Sequence, residues 1–235
     1  MTRLTVEVWS DIACPWCYIG KRRLEAAIGR LPAGAGKDAV DVVWRAFELD
    51  PGAPRVRDAS VPYAERLAKK YGMPLEEAHA SLRRMTDLAS RDGLDFHFER
   101  VQAGNTFDAH RVIHLAHERG VQDAVKERFL RAYMTEGEPI GEPEVLARLA
   151  SEAGLEAADV RITLASDAYS REVRADEEQA RTLGISGVPF FVIDRRYAVS
   201  GAQSADVLLG ALSQAWAAKP QVPIEEGAVC GPEGC

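Results

Sequence analysis

The sequence has no apolar run approaching the roughly 20 residues needed to span a bilayer, which excludes a transmembrane helix and makes a membrane partner unexpected. It has no excess of positive charge. Its 29 Lys and Arg stand against 36 Asp and Glu, a formal net charge of −7. Binding phosphates needs a net basic face, so nucleic acid is not an expected partner. A secretory signal is also absent: Met1-Thr2-Arg3 leads at once into the strand-like Leu4-Thr5-Val6-Glu7-Val8-Trp9. A cytoplasmic location is the resulting expectation. Internal repeats and low-complexity tracts are absent too. Cysteine is scarce, with four in 235 residues, and a chain that is 46% hydrophobic can bury a core without disulfides. Those four fall into two short-spaced pairs, Cys14/Cys17 and Cys230/Cys235, near the two ends. In a reducing compartment such pairs are catalytic or metal-binding more often than structural.

Hydrophobic patterning gives the organisation. Residues 4–10 alternate and are rich in β-branched residues, which predicts a strand. A helix follows from about Cys14 to Leu31, ended by Pro32 and the Gly34/Gly36 loop, and residues 40–47 read as a second strand. From about Ser60 to Tyr169 the period becomes helical. Pro74 suits a first helical position, and the helix it opens stops near Gly93. Val112/Leu115/Ala116, Val125/Phe129/Tyr133 and Leu146/Leu149/Ala150 mark three more apolar faces. Another helix is expected over about 170–183. Strands at 190–193 and 197–200 form a tight hairpin through Asp194-Arg195-Arg196, and a last helix ends before Pro220. The order β-α-β, helical block, β-β-α predicts an α/β fold with an inserted all-helical domain. The expected boundaries are 1–55 plus 175–219 for the α/β part, 56–174 for the insertion, and 220–235 for a flexible tail.

Cys14-Pro15-Trp16-Cys17 stands where a strand hands over to a helix. The first helical turn carries unpaired N–H groups and about half a positive charge, which favours a thiolate. Cys14 is then the attacking thiol, and Cys17, one turn deeper, resolves the mixed disulfide. Two other readings remain: half of a zinc site, or a pair of inert buried thiols.

Three segments carry a family resemblance. Ser10–Gly20 around the cysteine pair and Gly184-Ile185-Ser186-Gly187-Val188-Pro189-Phe190-Phe191-Val192 resemble the DsbA branch of the thioredoxin superfamily. Gln102–Arg111 resembles its FrnE-like subgroup, which is related to the 2-hydroxychromene-2-carboxylate isomerases. The resemblance implies a thioredoxin fold with a helical insertion, dithiol–disulfide exchange, and no metal or organic cofactor. It implies that Pro189 is cis and that Val188 offers its backbone to a substrate strand beside Cys14. Many members keep a buried acid six residues before the first cysteine. Here that position is Val8, and the adjacent Glu7 faces the other side of a strand, so no proton relay for Cys17 is assigned.

The remaining candidates are weaker. Trp16 is a substrate-facing aromatic or a partly buried filler. Asn105, Thr106 and His110 line the active-site groove, or the first two simply cap the following helix. His110 and His114 are one turn apart but lack the intervening acid of a zinc helix, so packing is the better reading and no metal ligand is assigned. Cys230 and Cys235 form a C-x4-C whose Gly and Pro residues permit a disulfide turn. The stretch from Lys219 to Cys230 reaches roughly 35 Å when extended, and the pair holds both remaining cysteines, so a second redox pair is the favoured reading and an ordinary tail the other.

Three functions follow. The first is a cytosolic thiol–disulfide oxidoreductase acting on protein or peptide disulfides and dithiols, with glutathione or a thioredoxin-type reductant as candidate partners. The second is a glutathione-dependent isomerase or transferase of the 2-hydroxychromene-2-carboxylate isomerase type. The third is a non-catalytic zinc or chaperone-like binding module. The presence of both Cys14 and Cys17 favours the first.

Overall fold

A computed structural model describes residues 3–32, 39–55 and 60–219. Among these, a mixed sheet of four strands runs in the order β2-β1-β3-β4. β1 (Leu4–Ser10) pairs in parallel with β2 (Val40–Ala46), and antiparallel with β3 (Phe190–Ile193). β3 in turn pairs antiparallel with β4 (Tyr197–Ser200). The register sets Val8 between Trp44 and Phe191. Asp194 and Arg195 turn the hairpin with positive φ, as its tight geometry requires. β1 is central and covered on both faces, so its side chains are buried almost without exception.

α1 (Pro15–Ile28) follows β1 and packs against α9 (Ala205–Ala217), which also touches β3 and β4. α1 ends three residues before the expected Leu31, because Gly29 closes it. On the other face Trp9 meets Ala180, Ile185 and Val192, with α8 (Ser170–Thr182) lying against β2. Between β2 and α8 come α2 (Tyr63–Tyr71), α3 (Leu75–Arg91), α4 (Phe107–Glu118), α5 (Gln122–Arg131), α6 (Pro143–Glu152) and α7 (Ala157–Ala165). A π-helical turn, Ala132–Glu136, extends α5 and keeps Tyr133 buried in line with Val125 and Phe129. Pro74 is the residue before α3 rather than its first. α2 and α7 had no separate sequence signal because they bury so little: Ala64 alone in α2, Val160 and Thr163 in α7.

The helical block does not form a separate core. One continuous apolar cluster runs from Leu4, Val6 and Val8 through Ile19 and Leu24 to Phe129, Leu146 and Leu149. α8 also runs unbroken across the expected boundary at 174/175. α5 is fastened to the β2 edge by Gln122, whose Oε1 accepts from Trp44 N and whose Nε2 donates to Trp44 O, both at 3.0 Å. A side-chain amide thus satisfies edge groups that a further strand would otherwise pair. That fastening brings the insertion's side chains under the start of α1.

Candidate active site

Cys14 is the residue immediately before α1, in extended conformation, and Pro15 is the first helical residue. Proline fits there because its missing N–H would be unpaired anyway. The Val188–Pro189 bond is cis. Gly20 explains how closely this loop and α1 approach: a Cβ at residue 20 would lie 2.8 Å from Pro189 Cγ and 3.2 Å from Phe191 Cζ. The Cys14 thiol thereby reaches Val188 O, with Sγ at 3.5 Å.

A groove of about 1210 Å³ opens over Cys14, lined in part by Trp16, Leu49, Tyr63, Tyr71 and Val188. Its rim is apolar and wet at once, since Trp16, Leu49, Val61 and Tyr71 are all exposed. Cys17 does not line the groove and is 1% exposed. The two thiols therefore meet different surroundings. Cys14, itself only 4% exposed, lines the groove and meets the Val188 backbone; Cys17 faces the interior.

Beneath Cys17 lies a set of buried polar groups from both parts of the chain. Ser10 ends β1, and its hydroxyl, otherwise without a partner, faces the Cys17 sulfur. Lys126, from α5, is wholly buried, and its Nζ donates to Ser10 O at 3.3 Å. Asp11 accepts from Leu49 N at 2.8 Å, and His110 Nε2 stands 3.4 Å from its Oδ1. Burial pushes the Asp11 carboxyl up, but His110, the Leu49 N–H and the Thr106 hydroxyl outweigh it and hold it below the ordinary range. Burial holds the His110 ring down, against the opposing pull of Asp11. The thiols divide in opposite directions, and contrary to the expectation that the helix start favours a Cys14 thiolate, because the neighbouring Cys17 and burial outweigh the helix start. Cys14's proton, hydrogen-bonded toward Cys17, is held well above the ordinary thiol value, with burial adding to the effect. For Cys17, burial is outweighed by the Cys14 hydrogen bond, the Lys126 charge and Ser10, and its thiol is held low.

The other sequence candidates take separate places. Trp16 is 41% exposed beside Cys14. Thr106 lines the groove. Asn105 and His110 do not: Asn105 donates to Glu48 Oε1 at 3.1 Å and accepts from Phe107 N at 2.8 Å, and His110 stands behind Asp11. His114 sits against Asp176, 2.9 Å away. Among the described residues no group of three or more His, Cys, Asp or Glu is arranged to hold a metal. No described helix is long and apolar enough to cross a membrane. Cys230 and Cys235 lie outside the described residues. Glu7 points away from the thiols and binds Arg45 and Arg195 instead. Sequence reasoning missed Lys126. A signal was present: Gln122 precedes it by four residues, and Phe129 and Leu130 follow at three and four, so it shares their buried face.

Comparison with known proteins agrees with this geometry. The model of the DSBA-like thioredoxin domain family matches residues 5–213. The chain is 30% identical over 219 residues to YwbO of Bacillus subtilis (strain 168), a protein described as uncharacterized, covering 88% of this chain and 95% of that one. The crystal structure titled "probable DsbA oxidoreductase" from Streptomyces coelicolor is 45% identical, with a TM-score of 0.85 over 99% of this chain and 98% of that one. Cytosolic disulfide reductase DsbM from Pseudomonas aeruginosa shares the fold at 21% identity, with a TM-score of 0.57 over 91% of this chain and 98% of its own. A 2-hydroxychromene-2-carboxylate isomerase does so at 15% identity and a TM-score of 0.63, over 89% and 95%. The chain belongs to the family of DSBA-like thioredoxin domains.

Proposed function

We propose that the protein is a cytosolic thiol–disulfide oxidoreductase acting on protein or peptide disulfides. The observation that carries this reading is the unequal placement of the two cysteines. Of the two, only Cys14 lines the groove, where its thiol meets the Val188 carbonyl at 3.5 Å. Cys17 is sealed one helical turn behind it. In this reading Cys14 attacks a substrate disulfide, Cys17 displaces the bound half, and Cys14–Cys17 forms as the second substrate thiol leaves. Val188 and Pro189 align the substrate strand, and Trp16 packs against its side chains.

The groove supports a peptide rather than a small aromatic substrate, since its volume exceeds the 300–1,000 Å³ (roughly) of small-molecule pockets. Glutathione is included as a thiol partner of the proposal; DsbM, which shares the fold, has been crystallised with it. The second dithiol of the sequence, Cys230/Cys235, is included as a relay that resets Cys14–Cys17.

The test is reduction of insulin disulfides with glutathione as electron source. Cys14→Ser abolishes turnover, and Cys17→Ser accumulates a mixed disulfide on Cys14. Equal rates for the parent and Cys14→Ser would refute the assignment. Cys230→Ser/Cys235→Ser leaves the first turnover intact and slows the later ones; unchanged multiple turnover removes the relay.

A further inference from the structure

Residues 63–91, which hold α2 and α3, carry six Arg and Lys against four Asp and Glu, although the whole chain has 29 against 36. Positive charge is therefore concentrated on these two helices. Elsewhere the cations are neutralised: Arg22, Arg45, Arg128, Arg148 and Arg174 each sit against a carboxylate. Lys69 and Lys70 are exposed, and among the described residues neither forms an ion pair. Lys70 Nζ instead lies 5.7 Å from the centroid of the Tyr71 ring.

The spacing along α2 gives these side chains a direction. Tyr63, Leu67 and Tyr71 recur every four residues, as do Arg66 and Lys70, so an apolar and a basic stripe run side by side. All five, with Lys69, line the groove over Cys14. The core does not dictate this face, since α2 buries only Ala64 and packs chiefly on α3. A cation in the last turn complements the partial negative charge of a helix end, which is the ordinary reason for a lysine at 69 or 70. It does not account for two of them joining Arg66 in one groove wall. Arg66 is held in place by its Nε, which donates to Val61 O at 3.1 Å. Three acids also line the groove. Asp11 is buried and committed to Leu49 N and His110, Asp50 follows β2, and Glu65 is in the first turn of α2. The last turn of α2 remains basic, beside the exposed rings of Tyr71 and, next to Cys14, Trp16.

Resting on the oxidoreductase reading and naming the substrate class of the same groove, we propose that α2 selects acidic polypeptides. Their extended segments carry Asp or Glu near the cysteine. The apolar side chains of such a segment lie on Trp16, Leu49 and Tyr71, and its carboxylates meet Lys69, Lys70 and Arg66. These three cations set specificity and take no part in the exchange at sulfur. Their effect is in substrate affinity, because complementary charge in a solvated groove discriminates between partners.

The experiment uses the full chain and short peptides with serine in place of cysteine, flanked by glutamates or by lysines, with binding measured by calorimetry. The glutamate peptide should bind about tenfold tighter than the lysine peptide at low salt, and less than about threefold tighter in roughly 0.5 M NaCl. Lys69→Glu/Lys70→Glu should reverse the order, and Lys69→Gln/Lys70→Gln should bring the ratio below about threefold. Arg171→Glu/Arg196→Glu makes the same charge change on two exposed arginines outside the groove and should keep the ratio within about twofold of the parent's. A glutamate peptide that fails to bind, or binds less than twofold tighter than the lysine peptide, overturns the proposal. So does an equal loss of preference in both charge-reversal variants, which would make it an effect of net charge alone. S-methylglutathione, which has the carboxylates of glutathione but no thiol, should not displace the glutamate peptide at equal concentration. Displacement would assign the cations to the small thiol and overturn the peptide class. The serine peptides bind without exchange, so cysteine peptides whose disulfides stay unreduced would sink the oxidoreductase reading separately.

Discussion

Two buried lysines lie over the ring of Trp44, Lys21 with Nζ 5.9 Å from its centroid and Lys126 with Nζ 5.5 Å. Both side chains are at most 2% exposed. Lys21 is surrounded by carboxylates: it pairs with Glu25, with Asp123 at 3.2 Å and with Glu127 at 3.2 Å. Burial pulls its amine down, but the three acids outweigh it and hold it above the ordinary value. Lys126 has no ion pair of that kind among the described residues, and burial outweighs the surrounding charges, Asp11 among them, and takes it down to about 8. The same residue type at the same depth against the same ring is held up in one place and down in the other. Close counter-charge, rather than depth, separates the two.

The sharpest way to break this comparison is the pH dependence of stability in the reduced protein, read as the difference between the parent and Lys126→Met. The folded Lys126 amine lies near 8 and the unfolded one near 10.4. Between those values the unfolded chain binds the extra proton, so stability rises with pH across that window. The parent should gain up to about 3 kcal/mol there relative to Lys126→Met, measured by urea unfolding at pH 7.5 and pH 10. Parallel curves for the two proteins would mean that Lys126 is compensated after all.

Lys21→Met tests the other half. Removing one partner of a fully buried ion pair costs about 3–5 kcal/mol, but Glu25 and Asp123 are 43% and 60% exposed and are resolvated easily. A loss of about 2 kcal/mol in urea unfolding is expected, with the rise of stability between pH 7.5 and pH 10 kept to within about 1 kcal/mol of the parent's. A flattening of that rise as large as the one caused by Lys126→Met would erase the distinction. The smallest effect is expected from the shared wall. Trp44→Phe keeps a ring between the lysines but removes the 2.9 Å hydrogen bond from Trp44 Nε1 to Asp123 Oδ1. It should cost about 1–2 kcal/mol, falling on the Lys21 side, and leave thiol exchange in glutathione buffer as in the parent.

Much of the scaffold could be read from local pattern. Alternation in residues 4–10, the proline after Cys14 and the β-branched and aromatic runs before and after Asp194 each act within a few residues, and each is where expected. α2 and α7 were not legible because a helix that buries one or two side chains leaves almost no periodic trace. The site divides in the same manner. Cys14, Cys17 and the Val188–Pro189 loop announce themselves by spacing and punctuation. Asn105 and His110 were chosen from a shared segment, yet Asn105, before α4, meets Glu48, and His110, in its first turn, stands behind Asp11.

The sequence by itself determined the strand-to-helix handover that displays Cys14, the proline loop and the order of the elements, because these depend on backbone preferences and on neighbours close along the chain. Only the tertiary structure decided that Cys14, though buried, lines the groove while Cys17 does not, and that a lysine 109 positions after Cys17 is fully buried with its Nζ on a backbone carbonyl. In the string of residues Gln122–Arg131 the spacing puts that lysine on the face of Phe129 and Leu130, but nothing there says what the face meets. The lysine's amine is pushed down only when α5 docks on the edge of β2 through Gln122 and removes water from around Nζ.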